Sequence, residues 1–245
     1  MNFAARTLNK EIPIPLYYQL KEILLEEIKK SEPGTSLPTE LELCEHFDIS
    51  RPTVRQAINE LVVEGYLTRM KGKGTFIAEP KIQQDFLIVL KSFGEEMQEK
   101  GLVPATKVLG VEKTVCDEKI SAALNIPPGS EVIKLTRLRF ADNVPIVLVV
   151  TFLPFDKLPD ILSKDFENDS LYHIIEKEYG YKIERAKRTL EARIATEEAK
   201  LLEIKKGDPI QFIQTIAYLD DGTPIEFSLA EYRGDKSEFT FELKK

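Results

Sequence analysis

The sequence predicts an α+β protein in two parts: three helices closed by a β-hairpin, then a mixed part with a mainly antiparallel sheet and flanking helices. Three observations predict it. Apolar residues recur at helical spacing as far as Gly65, interrupted by proline, glycine and capping residues. The run Ser50 to Ala78, SRPTVRQAINELVVEGYLTRMKGKGTFIA, passes from such a helix into two short β-like segments around a Lys-Gly-Lys-Gly tip. Two later stretches, from Leu124 and from Leu202, share one pattern of short helix, glycine turn, strand, turn and strand.

The first helix is PLYYQLKEILLEEIKK, in which Leu16, Leu20, Ile23, Leu24 and Ile28 fall on one face and Pro15 suits the first turn. Pro33, Gly34 and Pro38 end it. Thr39 can cap a second, short helix, ELELCEHF, with Leu41, Leu43 and Phe47 as its apolar contacts. Asp48 and Ile49 make a tight link to a third helix capped by Ser50. Its stripe Val54, Ala57, Ile58, Leu61 and Val62 turns inward and leaves Arg51, Arg55, Gln56 and Asn59 outside. Gly65 supplies the left-handed C-terminal cap. Leu67 to Met70 and Thr75 to Ala78 are then strands joined by Lys71, Gly72, Lys73 and Gly74.

Three helices and a hairpin of this spacing make a winged helix-turn-helix. The third helix can enter a DNA major groove, where arginines reach guanine edges, while the glycine-rich tip brings lysines and backbone to phosphates. The candidate DNA contacts are Ser50, Arg51, Thr53, Arg55, Gln56, Lys71, Gly72, Lys73 and Gly74. A formal net charge of -7 does not oppose this, because residues 50 to 78 carry five basic residues against two acidic ones.

After Ala78, EPKIQQD has no apolar period and is expected to be a linker over residues 79–85, between a DNA-binding domain at 1–78 and a second domain at 86–245. Ser92 and Glu95 have capping-box spacing ahead of a helix, and NDSLYHIIEKEYGY forms another capped at Asp169 or Ser170, with Leu171, Ile174 and Ile175 inward. Each helix start offers free N–H groups that an anion could use, although capping explains them without one. His173 is expected to be a structural histidine. In the repeat, Leu124 matches Leu202, Ile126 matches Ile204, Gly129 matches Gly207 and, with one extra residue in the second turn, Pro145 matches Pro224. The two copies predict one sheet with pseudo-symmetric halves.

Alternation in IKLTRLRF puts Ile133, Leu135, Arg137 and Arg139 on one strand face and Lys134, Thr136, Leu138 and Phe140 on the other. The repeat copy holds Thr215 and Ala217 where the arginines stand, so the fold does not require cations there. Buried guanidiniums need anionic partners, either internal carboxylates or a bound anion.

Composition bounds the remaining options. At 245 residues and 42% apolar content the chain can bury a full core. No run is apolar enough to span a membrane and the first ten residues are too polar for a secretory signal, so a cytoplasmic protein without a membrane partner is expected. Cys44, Cys116, His46 and His173 lack metal-ligand spacing, and no cofactor is implied.

The segments PLYYQLKEIL, LPTELELCEHFDISRPTVRQAI and LVVEGYLTRMKGKGTFIA, covering residues 13 to 78, resemble the GntR family of bacterial transcription regulators. The resemblance implies double-stranded operator DNA as partner, with Ser50, Arg51, Thr53 and Arg55 on the recognition helix and Lys71 to Gly74 on the wing. Leu41 stands where many members carry an arginine. LKSFGEEMQEKGLVP, LTRLRFADNVPI, DSLYHIIEKEYG and DGTPIEFSLAEYRGD resemble the UTRA effector domain of the HutC subfamily, whose fold is similar to chorismate lyase. By that resemblance Ser92, Phe93, Arg137, Arg139, Ser170, Tyr172, Glu226 and Tyr232 line a pocket for a small anionic effector such as a sugar phosphate, and Val149 stands where many members place a glutamate. The resemblance further implies a homodimeric repressor, bound to a palindrome and released by its effector. Two other readings stay open: a lyase-like enzyme acting on a small carboxylate, which the similarity of the UTRA fold to chorismate lyase and the paired arginines imply, and an interaction protein with a degenerate DNA domain.

Overall fold

The computed structural model describes residue 3 and residues 6–70, 72–85 and 87–242. The chain divides into two compact units, Met1–Pro80 and Lys81–Lys245. The first contains α1 (Leu16–Ile28), α2 (Glu40–Phe47), α3 (Arg51–Val63), β1 (Leu67–Met70) and β2 (Gly74–Ile77). Its boundaries follow local chemistry. Thr39 and Glu42 form a reciprocal capping box at the start of α2, and Asp48 in the left-handed region (φ 49°) ends that helix. Ser50 caps α3 by accepting from the Thr53 N–H, and Gly65, at φ 81°, follows its last turn. Pro15 stands at the N-cap of α1, one place before the first turn where it was expected.

Leu20, Leu24 and Ile28 of α1, Leu43 and Phe47 of α2, and Val54, Ala57, Ile58 and Leu61 of α3 meet in one core that Leu67 and Ile77 of the hairpin close. Leu41 departs from expectation and is 65% exposed. Leu43 and Phe47 are four apart and share a helix face, whereas Leu41, two residues before Leu43, points away. The hairpin is tied to this body by residues 34–37: the Leu37 N–H donates to the Thr75 carbonyl at 2.8 Å and the Ile77 N–H to the Thr35 carbonyl at 2.9 Å.

The second unit contains β3 (Ile82–Gln84), α4 (Phe93–Glu99), β4 (Pro104–Val115), α5 (Glu118–Leu124), β5 (Glu131–Ala141) and β6 (Val144–Pro154). Then follow α6 (Leu171–Glu178), β7 (Ile183–Ile194), β8 (Pro209–Leu219), β9 (Pro224–Arg233) and β10 (Ser237–Phe239). β4 to β9 form one antiparallel sheet in the order β4-β5-β6-β9-β8-β7, which reads as two mirrored halves meeting at β6 and β9. The repeat seen in the sequence is thus the inner part of a longer one, in which each half brings a helix, a long edge strand and a hairpin. Register keeps the equivalence in detail. The β5–β6 ladder skips Ile146 and the β8–β9 ladder skips the matching Ile225, and each skip is a bulge. Asp142 and Asn143, both at positive φ, turn the first hairpin, and a three-residue loop through Gly222 turns the second. The halves differ before β8, where a single 3-10 turn at Glu197–Lys200 replaces the helix α5.

The expected linker is a correction. Within residues 79–85, Ile82–Gln84 form β3, which pairs in parallel with β10. A three-residue strand with one apolar side chain has no period to detect, and its partner lies at the far end of the chain.

The corner between β9 and β10 is tight. Arg233 is gripped by both carboxylate oxygens of Asp235, through Nε at 3.0 Å and Nη2 at 2.7 Å, and donates to the Leu202 carbonyl. A Cβ on the next residue, Gly234, would stand 2.7 Å from the Pro209 carbonyl oxygen. Gly234→Ala is therefore expected to destabilise the second unit by about 1–3 kcal/mol, the usual range for forcing extra volume into a packed site. Urea unfolding measures this, and an unchanged midpoint would count against the contact.

Candidate nucleic-acid interface and ligand cavity

In the first unit the outward side of α3 is as expected: Arg51, Arg55, Gln56 and Asn59 are exposed and border a shallow concavity with Glu60 and Val63. Ser50 and Thr53 sit at the helix start with their hydroxyls 2.8 Å apart. At the hairpin tip Gly72 and Gly74 take φ values of 76° and 118° that glycine alone adopts easily, and Lys73 is exposed. Lys71 lies outside the described residues. One participant escaped the sequence reading. Glu40, the first residue of α2, accepts a hydrogen bond from Arg51 Nε at 2.9 Å and lies 3.7 Å from Arg55 Nε and 3.8 Å from Arg69 Nη2. An acidic residue in a first helical turn is explained by the helix dipole, so nothing in the sequence marked it.

The second unit holds a half-open cavity of about 350 Å³ over one face of the sheet. All eight expected residues line it. Arg137 and Arg139 project from β5, Glu226 and Tyr232 from β9, Ser92 and Phe93 from the start of α4, and Ser170 and Tyr172 from the start of α6. Ser92 and Ser170 are the N-caps of those helices, and Ser92 shares a capping box with Glu95. His173 Nδ1 lies 2.7 Å from Asp169 Oδ1. Val149 and Ala230 add an apolar floor beside Thr215 and Ser228. Five further charged residues line it that the sequence does not mark as cavity residues: Lys91, Glu96, Glu167, Asp169, and Arg188, which β7 supplies among Arg185, Lys187 and Arg193, where a single inward cation does not stand out.

The electrostatics of the cavity turn on its two β5 arginines. Arg137 is 2% exposed, and its hydrogen bond is a long one, from Nη2 to the Thr151 hydroxyl at 3.4 Å. The Nε atoms of Arg137 and Arg139 find no hydrogen-bond partner. Arg139 lies over the Phe93 ring, 5.4 Å from its centre. Burial, and for Arg137 also the neighbouring Arg139, lowers the pKa of both guanidiniums, but arginine titrates so high that both keep their charge. The Glu226 carboxylate attracts both from a distance. Burial and that same carboxylate push the Tyr172 phenol well above its usual range, so it is a neutral donor. One Glu226 oxygen, Oε2, is buried and without a partner. The arrangement can take a molecule with an anionic group for the arginines and a hydroxyl or ammonium group for Glu226. Among the described residues no cluster of His, Cys, Asp and Glu could hold a metal ion, and no helix is long and apolar enough to cross a membrane.

Residues 16–77 match the bacterial regulatory proteins of the gntR family, and residues 99–238 match the UTRA domain. The HTH-type transcriptional repressor NagR of Bacillus subtilis (strain 168) is 40% identical over 241 residues, covering 97% of this chain and 98% of that protein. The probable fructoselysine utilization operon transcriptional repressor of Escherichia coli (strain K12) is 32% identical over 238 residues, covering 94% and 95%. The crystal structure of PhnF from Mycobacterium smegmatis superposes with a TM-score of 0.66 at 29% identity, covering 91% of this chain and 98% of that one. These matches set aside the reading as a lyase-like enzyme. The chain belongs to the GntR family of bacterial regulatory proteins, with a winged helix-turn-helix in its first unit and a UTRA domain in its second.

Proposed function

We propose that this regulator is a repressor whose second unit senses a small anionic metabolite of the sugar-phosphate class. Operator DNA meets the outward side of α3 and the hairpin tip, through Ser50, Arg51, Thr53, Arg55, Gln56 and Lys71 to Gly74. Two copies act together on a palindrome, since a two-fold protein matches a two-fold site. Binding of the metabolite favours an arrangement with lower operator affinity, because a ligand shifts such a balance only through unequal affinity for the two states. The observation that carries the effector class is the pair of buried guanidiniums, Arg137 and Arg139, with unpartnered Nε atoms in a cavity. The names of the relatives, among them a repressor of fructoselysine utilization, support a sugar-derived effector.

The test is calorimetric titration of the whole protein with phosphosugars and organic acids, followed by operator binding in the presence of whichever binds. A phosphate monoester gains its second negative charge near pH 6, whereas a carboxylate is fully ionised well above about pH 4. Affinity for a phosphosugar should therefore weaken as the pH is lowered from about 7.5 to 5.5, and affinity for a carboxylate should hold nearly level. If no phosphosugar binds, or if the one that binds leaves operator affinity unchanged, this reading fails. Sedimentation with and without a palindromic fragment tests the dimer.

A further inference from the structure

Three cations from two elements converge on one carboxylate. Arg51 and Arg55 come from the first two turns of α3 and Arg69 from β1, and both oxygens of Glu40 are engaged: Oε2 by Arg51, Oε1 by Arg55 and Arg69. The Glu40 side chain is 25% exposed, whereas those of Arg51 and Arg55 are 73% and 58% exposed. The anion lies at the base of the cluster and the cations at its rim.

We propose that Glu40 is a positioning residue for DNA sequence recognition, setting how well the protein tells its operator from other DNA. The proposal rests on the reading that α3 and the hairpin tip face DNA, and two physical consequences support it. The first is geometric. Arg51 and Arg55 each turn Nε toward Glu40, so the edge formed by the two terminal nitrogens is left for a partner outside. A guanine offers two acceptors that a guanidinium can fork onto, and a side chain already held with the right edge outward loses less freedom in doing so.

The second consequence is electrostatic. Phosphate attraction supplies the sequence-independent part of DNA affinity and scales with the charge available to neutralise phosphates. A carboxylate among three guanidiniums reduces that pull and repels phosphates itself. Glu40 thus lowers affinity for any DNA while helping the contacts that depend on sequence, and both effects widen the gap between operator and random duplex.

The measurement is operator and random-duplex affinity across a salt series for the wild type, Glu40→Gln, Glu40→Asp and Arg51→Ala, with thermal unfolding of each. Glu40→Gln should raise random-duplex affinity several-fold and steepen its salt dependence by about one charge. It should also lower the operator-to-random ratio by about tenfold, within the range one well-placed arginine contact contributes. Glu40→Asp keeps the charge but has a shorter reach, so it should reduce the ratio without raising random-duplex affinity as far. A helix-capping role alone would lower the unfolding temperature and leave ratio and salt slope untouched. An unchanged ratio in Glu40→Gln, with Arg51→Ala losing operator binding, overturns the role of Glu40. Unchanged operator binding in Arg51→Ala overturns instead the assignment of this face to DNA.

Discussion

Arg137→Ala is expected to weaken effector binding by at least about tenfold, since a hydrogen bond to a charged group contributes about 1.5–3 kcal/mol. The same change should leave the ligand-free protein nearly as stable as before, and Arg137→Met, which keeps most of the volume, should make it as stable or more so. The reason is the state of the guanidinium. In a buried ion pair, removing one partner strands the other and is strongly destabilising. Arg137 instead has one long hydrogen bond to Thr151, a like charge in Arg139 and a lowered pKa caused first by burial. Glu226 offsets its desolvation from a distance, and on the proposed reading a bound anion offsets it further. Operator affinity without effector should stay near normal, and the variant should hold its operator when effector is added. Calorimetry beside thermal unfolding decides the matter: an undiminished binding constant, or a collapse of the ligand-free Met variant, would sink the assignment.

Arg51→Ala and Arg55→Ala should each remove about 1–3 kcal/mol of discrimination between operator and mismatched DNA, the scale of one bidentate arginine contact. Neither should harm the fold, because both side chains lie outside the core of the first unit. Lys73→Ala is expected to behave differently. At the exposed hairpin tip a lysine is suited to phosphate, so operator and random duplex should weaken together and the salt slope should flatten by about one. A footprinting titration in which both arginine variants protect the operator at wild-type concentrations would remove α3 from the interface.

Much of this was legible because the informative residues act locally. Thr39, Ser50, Ser92 and Ser170 cap their helices through bonds spanning three residues, and the strand face that carries Arg137 and Arg139 follows from alternation alone. The hairpin pair repeated from Leu124 and Leu202 gave the centre of the sheet. Relations between distant segments were not legible. Glu40 gains its meaning from Arg69, on a different element, and Arg188 from a cavity lined by segments far from it in sequence. Leu41 misled because its hydrophobicity was visible and its direction on so short a helix was not. The family resemblance supplied Ser170, Tyr172, Glu226 and Tyr232, which no spacing rule would have joined.

The parallel pairing of β3 with β10 also governs when the protein becomes complete during its synthesis. Ile82 lies beside Ser237, about 155 residues later in the chain. At about 5–20 residues per second a ribosome needs roughly 8–30 s to cover that distance, and domains generally fold as units with the N-terminal one first. The three helices and hairpin of the first unit make contacts close in sequence and can fold as soon as they emerge. The second unit must wait for its closing strand, so each new molecule passes through an interval in which the DNA-facing part has formed and the sensing part has not. Nascent chains arrested before residue 237 should accordingly show a protease-resistant first unit beside a sensitive second one, and equal resistance of both would mean that β10 is dispensable for closure.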